Sequence, residues 1–166
     1  ALLNTSTGSN NVAVGYQALD ANTTGAQNIA IGAGGALGAT TTGTYNVGIG
    51  YSALATNTTG QKNIAVGADA LTSSTTAGLN IAIGHGAGAL NTTGDINTYV
   101  GYQAGYSCTT GIRNTHVGYT AGRATASSYN TSLGAFAGDA NVSGNHCVAI
   151  GHNAQSPTTS ANGVFT

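Results

Sequence analysis

Short apolar stretches alternate with polar turns along this chain at a nearly constant interval. Each stretch is five residues long, begins with Asn, ends with Gly, and carries Val, Ile, Leu or Thr at its second and fourth positions. The copies are residues 11–15, 28–32, 46–50, 63–67, 80–84, 97–101, 114–118 and 130–134, and a last copy at 147–151 has Cys in place of Asn. The closing glycines are 16 to 18 residues apart. So short and regular a period predicts a stack of similar coils rather than a globular fold around one core.

The alternation within each copy has a period of two, which predicts a β-strand. β-branched residues stacked on residues of the same kind suit a parallel sheet with one rung per coil. We therefore expect the columns that begin at Val12 and Val14 to face the inside of the coil. The second of these columns, expected to form one buried stack, consists of Val14, Ile31, Ile49, Val66, Ile83, Val100, Val117, Leu133 and Ile150.

A second short apolar piece follows each closing glycine, and a polar turn follows that piece. The second pieces are Ala18-Leu19, Ala36-Leu37, Ala53-Leu54, Ala70-Leu71 and Ala89-Leu90, and then Ala104-Gly105, Ala121-Gly122 and Ala137-Gly138. The turn reads N-T-T-G at 22–25, 57–60 and 91–94, and its Asn and Gly accept left-handed backbone angles. We expect two strands and two turns per coil, in an all-β parallel β-solenoid of about nine 17-residue coils. This repeat domain is expected to span residues 1–155, with 156–166 as an irregular tail or linker.

The third position of the motif carries small residues, whereas a solvated strand face normally carries longer polar ones. A thin coil has little interior of its own, and oligomerisation is the usual remedy for a small core. We therefore expect this face to pack against sister chains. The expected subunit interface is Ala13, Ala30, Gly48, Ala65, Ala82, Tyr99 and His116.

Charged side chains are scarce, and this excludes several functional classes. There are three basic and four acidic residues, so no basic stripe exists for nucleic acid. No apolar run approaches the roughly 20 residues of a membrane helix, so no membrane insertion is expected. The four carboxylates lie in four different repeats and form no catalytic pair. We expect no enzyme activity and no cofactor.

The histidines, cysteines and glycosylation sequons are the remaining candidate sites. If the third-position column borders a threefold axis, three copies of His116 would converge and could hold a metal or an anion; a hydrogen-bonded interface histidine is the alternative, and we assign no metal site. Cys108 in a turn and Cys147 in a strand are more than two coils apart, too far for an intrachain disulfide. Turn chemistry explains most of the sequons at Asn22, Asn57, Asn91, Asn130 and Asn141.

Most of the Tyr and Phe residues follow Asn97. Aromatic rings with polar tips suit carbohydrate stacking and protein contacts, which makes Tyr102, Tyr106 and Tyr119 a possible ligand surface. The alternative is a ladder of stacked tyrosines that fills space left by smaller core residues.

The unit G-Y-x-A-L…N-T-T-G-x-x-N-I-A-V-G resembles repeats of bacteriophage tail fibres. It is also similar to the N-S-V-A-I-G head repeats of trimeric autotransporter adhesins, although Asn11 stands in the Ser position and the repeat is longer here. The resemblance covers about residues 10–155. It implies a left-handed parallel β-roll, a homotrimer, and a fibre or adhesin role outside a cell.

The leading functional hypothesis is a structural segment of an extracellular fibre, located outside the cell, on its surface or on a virion. Its partners would be further copies of itself and a cell-surface glycan or protein receptor. One alternative is an ice-binding solenoid, since Thr24, Thr42, Thr59, Thr76, Thr93 and Thr110 form a column. Another is a glycan-binding adhesin head that uses the aromatic C-terminal half.

Overall fold

A computed structural model describes residues 7–155 and 163–165 of the 166-residue chain. Its strands form one parallel sheet in sequence order, and the described residues contain no helix. The strands are β1 (Val12–Val14), β2 (Ile29–Ile31), β3 (Val47–Ile49), β4 (Ile64–Val66), β5 (Ile81–Ile83), β6 (Thr98–Val100), β7 (Thr115–Val117), β8 (Thr131–Leu133), β9 (Cys147–Ile150) and β10 (Gly163–Phe165). Equivalent positions pair in register, so that Ala65 lies between Gly48 and Ala82. The predicted parallel β-solenoid is confirmed, and coil n below is the stretch that begins with strand βn.

The sheet continues past the domain boundary expected at residue 155. Strand β10 pairs in parallel with β9, with Gly163 beside Cys147. The rest of the expected tail, residues 156–162 and 166, lies outside the described residues.

The expected second strand of each coil is wrong, because the piece after the closing glycine is a series of turns. Leu19, Leu37, Leu54 and Leu71 have left-handed φ angles of 50° to 53°. A left-handed residue reverses the chain within a few positions. The turn segment is joined to the next coil by individual backbone hydrogen bonds rather than by a strand ladder, and Leu54 N–H, for example, donates to the Ala70 carbonyl at 3.0 Å. Coil 5 also differs from expectation. Gly88, with φ of 58°, takes the position of these leucines, and Leu90 is 39% exposed.

The strand alternation is as predicted, but its inward and outward faces are reversed. Ala30, Ala65 and Ala82 are fully buried, whereas Val14 and Ile83 are 56% and 43% exposed. The prediction of a buried Val14 column is therefore wrong. The reason is the width of the coil: the leucines of the turn segment fill its interior, and a Cβ added at Gly48 would lie 3.1 Å from Leu37 Cγ. Only small side chains fit opposite them in a close-packed interior.

The first-position asparagines point inward with the alanines and form a buried ladder. Asn63 Oδ1 accepts a hydrogen bond from the Asn80 backbone N–H at 3.0 Å, and Asn63 Nδ2 donates to the Ala77 carbonyl at 2.8 Å. The Oδ1 bond recurs in every coil, and at the last rung the Cys147 N–H donates to Asn130 Oδ1 at 3.0 Å. Each amide thus joins a strand to its own turn and to the next coil, which satisfies backbone groups that burial would otherwise leave unpaired.

The N-T-T-G asparagines form a second inward column. Asn91 closes its own turn, since its Oδ1 accepts from Gly94 N–H at 2.7 Å and its Nδ2 donates to the Gly94 carbonyl at 2.9 Å. All five sequon asparagines are 0–2% exposed. Four of them, Asn22, Asn57, Asn91 and Asn141, belong to this turn column, as the turn interpretation predicts for most of them. Asn130 belongs instead to the first-position ladder.

The core composition changes at coil 5. In coils 1 to 4 alanines of the strands pack with leucines of the turn segments, and from Gly88 onward glycines replace the leucines. Tyr99 and His116 occupy the vacated space: a Cβ added at Gly88 or Gly105 would collide with the Tyr99 ring, and one at Gly122 with the His116 ring. For Tyr99 the space-filling interpretation is confirmed, and His116, for which it was not made, fills space in the same way.

Candidate assembly surface

The outward positions of the strands form a continuous band, which we call the outer stripe. Its members are Val12, Val14, Ile29, Ile31, Val47, Ile49, Ile64, Val66, Ile81, Ile83, Thr98, Val100, Thr115, Val117, Thr131, Leu133, Val148 and Ile150. All of them are exposed or half-buried, and none is charged. Nine rungs at ~4.8 Å and three residues at ~3.3 Å give a band of roughly 40 by 10 Å, or about 400 Å². Apolar patches of this size on a monomer commonly mark interaction sites.

The expected subunit interface lies inside the coil and is therefore corrected. Ala30, Gly48, Ala65, Ala82, Tyr99 and His116 are buried within the chain itself, and Ala13 is partly buried against the same core. A bulky charged residue at Ala65 would disrupt the coil rather than a contact between chains.

Exposed apolar side chains precede and follow several strands of the outer stripe in the sequence. Tyr45, Leu79 and Ile96 precede the asparagine ladder, and each is 45–54% exposed. Tyr16 and Tyr51 follow the closing glycines and are 73% and 61% exposed. These residues widen the apolar surface beyond the strands.

A ladder of aromatic side chains runs along the C-terminal half. Tyr102 stacks on His85 at 5.5 Å and on Tyr119 at 5.1 Å between ring centroids, with interplanar angles of 16° and 11°. Phe136 then meets Tyr119 and His152 edge-on. Because the rings stack along the solenoid axis, both faces of Tyr102 are covered by neighbouring rings, and sugar stacking requires a free face.

The third residue of the possible ligand surface lies apart from this stack. The guanidinium carbon of Arg123 lies 5.8 Å from the centre of the Tyr106 ring, within the range of a cation–π contact. Arg123 Nε also donates to Gln103 Oε1 at 3.2 Å. The structure thus brings Tyr102 and Tyr119 together and places Tyr106 in a separate contact.

His116 lies in the interior of coil 7, so copies of it from different chains do not converge. Its ring stacks on Tyr99 with centroids 5.9 Å apart, and neither ring nitrogen has a hydrogen-bond partner. Burial lowers the pKa of His116 to about 4, because the charged imidazolium loses its hydration.

Cys108 is a buried free thiol, and Cys147 is also buried. Burial raises the pKa of the Cys108 thiol, an effect that the hydrogen bond from Asn114 partly offsets. The Asn114 Nδ2 donor is 3.4 Å from Cys108 Sγ. Burial also raises the pKa of Tyr99 well above its ordinary value.

Among residues 7–155 and 163–165, no group of three His, Cys, Asp or Glu side chains could hold a metal ion. The same residues form no helix that could cross a membrane.

No protein-family model, no curated protein and no solved structure matches this chain. The functional proposal therefore rests on the geometry of the coils.

Sequence reasoning placed the outer stripe on the wrong side of the strand, although the chain contains a signal for the correct side. In the third-position column of the strands, tyrosine replaces alanine at Tyr99. In the turn segments of the same coil and of the preceding one, glycine replaces leucine at Gly105 and Gly88. Where the side chains of one column become larger and those of the other become smaller, the two columns share one enclosed space. The alanine column therefore has to face inward.

Proposed function

We propose that the chain is a structural segment of an extracellular fibre, in which several copies associate side by side through the outer stripe. The observation that carries this proposal is the outward column of exposed or half-buried aliphatic side chains, which is double in rungs 1 to 5 and single in rungs 6 to 8. Water contact with so much apolar surface is unfavourable by roughly 25 cal/mol per Å². Covering the stripe would therefore stabilise an assembly.

A second copy of the chain is the occupant that fits the stripe. It has the same spacing between rungs, so side chains of one copy can pack between those of the other along the full length. The outward strand positions are uncharged, so like copies do not repel each other. At about 400 Å² the stripe supplies roughly half of a standard interface per partner, and the flanking Tyr51, Leu79 and Ile96 would enlarge it.

The outward residues change along the stripe from Val and Ile to Thr, and this change favours one relative orientation of neighbouring copies. Rungs 1 to 5 have Val or Ile at both outward positions, whereas Thr98, Thr115 and Thr131 replace the first of them in rungs 6 to 8. Parallel copies in register place Thr beside Thr and Ile beside Ile, whereas antiparallel copies would bury Thr hydroxyls against Ile. We therefore favour parallel chains, and the resemblance to trimeric fibres and adhesins favours three of them. That resemblance also underlies the proposed location outside the cell, on its surface or on a virion.

The molecular mass in solution, measured by light scattering, tests the proposal. We expect the mass of three chains for the native sequence and of one chain for the double substitution Ile64→Arg/Ile81→Arg, with unchanged circular dichroism. The matched control is Thr59→Arg/Thr76→Arg, which changes exposed turn residues of adjacent coils and should leave the trimer intact. A native protein that has the mass of one chain at all concentrations would contradict the proposal.

Two rival functions make different measurable predictions. The Thr-x-Val rungs at 98–100 and 115–117 face outward and suit ice binding, which thermal hysteresis would reveal. Rungs 1 to 5 have no hydroxyl on their outward strand face, so ice binding is less favoured than assembly. A glycan array would test the Tyr102–Tyr119 surface, whose covered ring faces argue against carbohydrate stacking.

A further inference from the structure

The interior of coil 7 encloses a basic side chain that the fibre role does not use. Of the histidines, His116 is fully buried, whereas His85, His146 and His152 are exposed. Both of its ring nitrogens lack hydrogen-bond partners. A buried polar group without a partner costs free energy, and a proton on such a ring would add an uncompensated charge.

The groups that face His116 cannot balance that charge. Tyr99 of β6 stacks on one side, Ser132 of β8 is its in-register neighbour on the other, and the Gly122 backbone closes the space within coil 7. Beyond Tyr99 lies the Cys108 thiol. Tyr99 and Cys108 both have raised pKa values and stay neutral in acid, and burial is the one cause of the His116 pKa shift, so no described carboxylate stabilises the imidazolium.

We propose that His116 makes the C-terminal half of the solenoid an acid-sensitive joint, in which a proton on the imidazole opens coils 6 and 7 while the alanine–leucine coils 1 to 4 stay closed. Local opening is possible because each coil of a solenoid contacts only its neighbours. This inference goes beyond the proposed fibre role and does not depend on it.

The direction of the effect follows from the linkage between proton binding and opening. The exposed imidazole has a pKa of 6.5 and the buried one of about 4, so the open state binds the proton more tightly. The closed state is fully stable above pH 6.5 and loses stability as the pH falls from 6.5 through 4. With these values the equilibrium constant for opening rises roughly 50-fold between pH 7 and pH 4.5.

Cys108 reports on the opening, because it is a buried thiol between β6 and β7. The background is Cys147→Asn, which restores the residue of the equivalent position in the other repeats and leaves one thiol. The rate of reaction with 4,4′-dithiodipyridine, a reagent that works in acid, is measured at pH 7 and pH 4.5. Each rate is divided by that of the same chain in denaturant at the same pH. We expect the protection of Cys108 to fall roughly 50-fold in acid.

Two variants and one control isolate His116. His116→Ser copies the Ser132–Gly138 pair of the next coil, and His116→Ala/Gly122→Leu copies the alanine–leucine packing of coils 1 to 4. Both should abolish the acid effect, whereas His85→Ser, at an exposed histidine, should keep it. Equal protection at both pH values in the background protein, or an acid effect that survives both His116 variants, would overturn the proposal. Complete loss of the circular dichroism signal at pH 4.5 would also overturn it, because coils 1 to 4 would then have opened too.

Discussion

At the closing position of each repeat, the backbone accepts only glycine. Gly67 has a φ angle of 131°, and a Cβ added there would lie 2.6 Å from the carbonyl oxygen of Gly84 in the next coil. Other left-handed positions are less demanding, because their φ angles lie near 60° and they hold residues such as Lys62 and Gln103. The presence of glycine at every closing position thus reflects close contact between coils, not only the freedom of the turn.

Substitution of a closing glycine should therefore destabilise the solenoid strongly. We expect Gly67→Ala to lower the free energy of unfolding by at least about 1–3 kcal/mol, from backbone strain and the clash with Gly84. The matched control is Gly86→Gln, because Gly86 has a φ of 64° and its column already holds Gln17 and Gln103 at 59° and 49°. Guanidinium denaturation followed by circular dichroism measures both. Equal effects of the two substitutions would contradict the special role of the closing glycine.

At the level of elements, the sequence was sufficient to locate the strands but not to orient them. The period-two alternation placed β1 to β9 correctly, because only three residues lie between Asn and Gly, which is too few for a helix. Both faces of β1 to β5 are apolar, however, with Ala or Gly on one side and Val or Ile on the other. Hydrophobicity alone cannot separate such faces, and the deciding quantity is the volume inside the coil. The left-handed leucines that set this volume also could not be predicted, since leucine rarely adopts such backbone angles.

From coil 5 onward, glycine replaces the core leucine, and in coils 6 and 7 larger side chains replace the core alanine. This change can be tested by reversing it. Tyr99→Ala alone should destabilise the protein by about 3–5 kcal/mol, because it leaves a cavity where the ring was. Adding Gly88→Leu and Gly105→Leu should recover much of that loss, since leucines at equivalent positions 54 and 71 have the required left-handed backbone. Denaturation midpoints of the single and triple variants give the comparison. If the two leucines lowered the midpoint further, the two columns would not share one space.

At the level of the whole molecule, the strands turn their Val and Ile side chains outward and bury mostly small residues. This arrangement explains how a chain with so little interior can form a continuous rod: coils 1 to 4 are filled mainly by alanine, leucine and asparagine. The Val and Ile side chains outside are then available to other copies. The expectation of self-association, drawn from the small size of the core, stays a prediction, and the residues that the sequence assigned to it are the inward ones.

Position-specific crosslinking tests this account most directly. The background is Cys108→Ser/Cys147→Asn, whose residues occur in the same columns at Ser74 and Asn130. A single cysteine is then introduced by Ile81→Cys in the outer stripe or by Thr76→Cys in an exposed turn of the preceding coil. Parallel, in-register assembly brings copies of residue 81 together, so oxidation should produce a covalent dimer for Ile81→Cys and almost none for Thr76→Cys. Absence of the Ile81→Cys dimer, or equally efficient crosslinking through Thr76→Cys, would contradict assembly through the outer stripe.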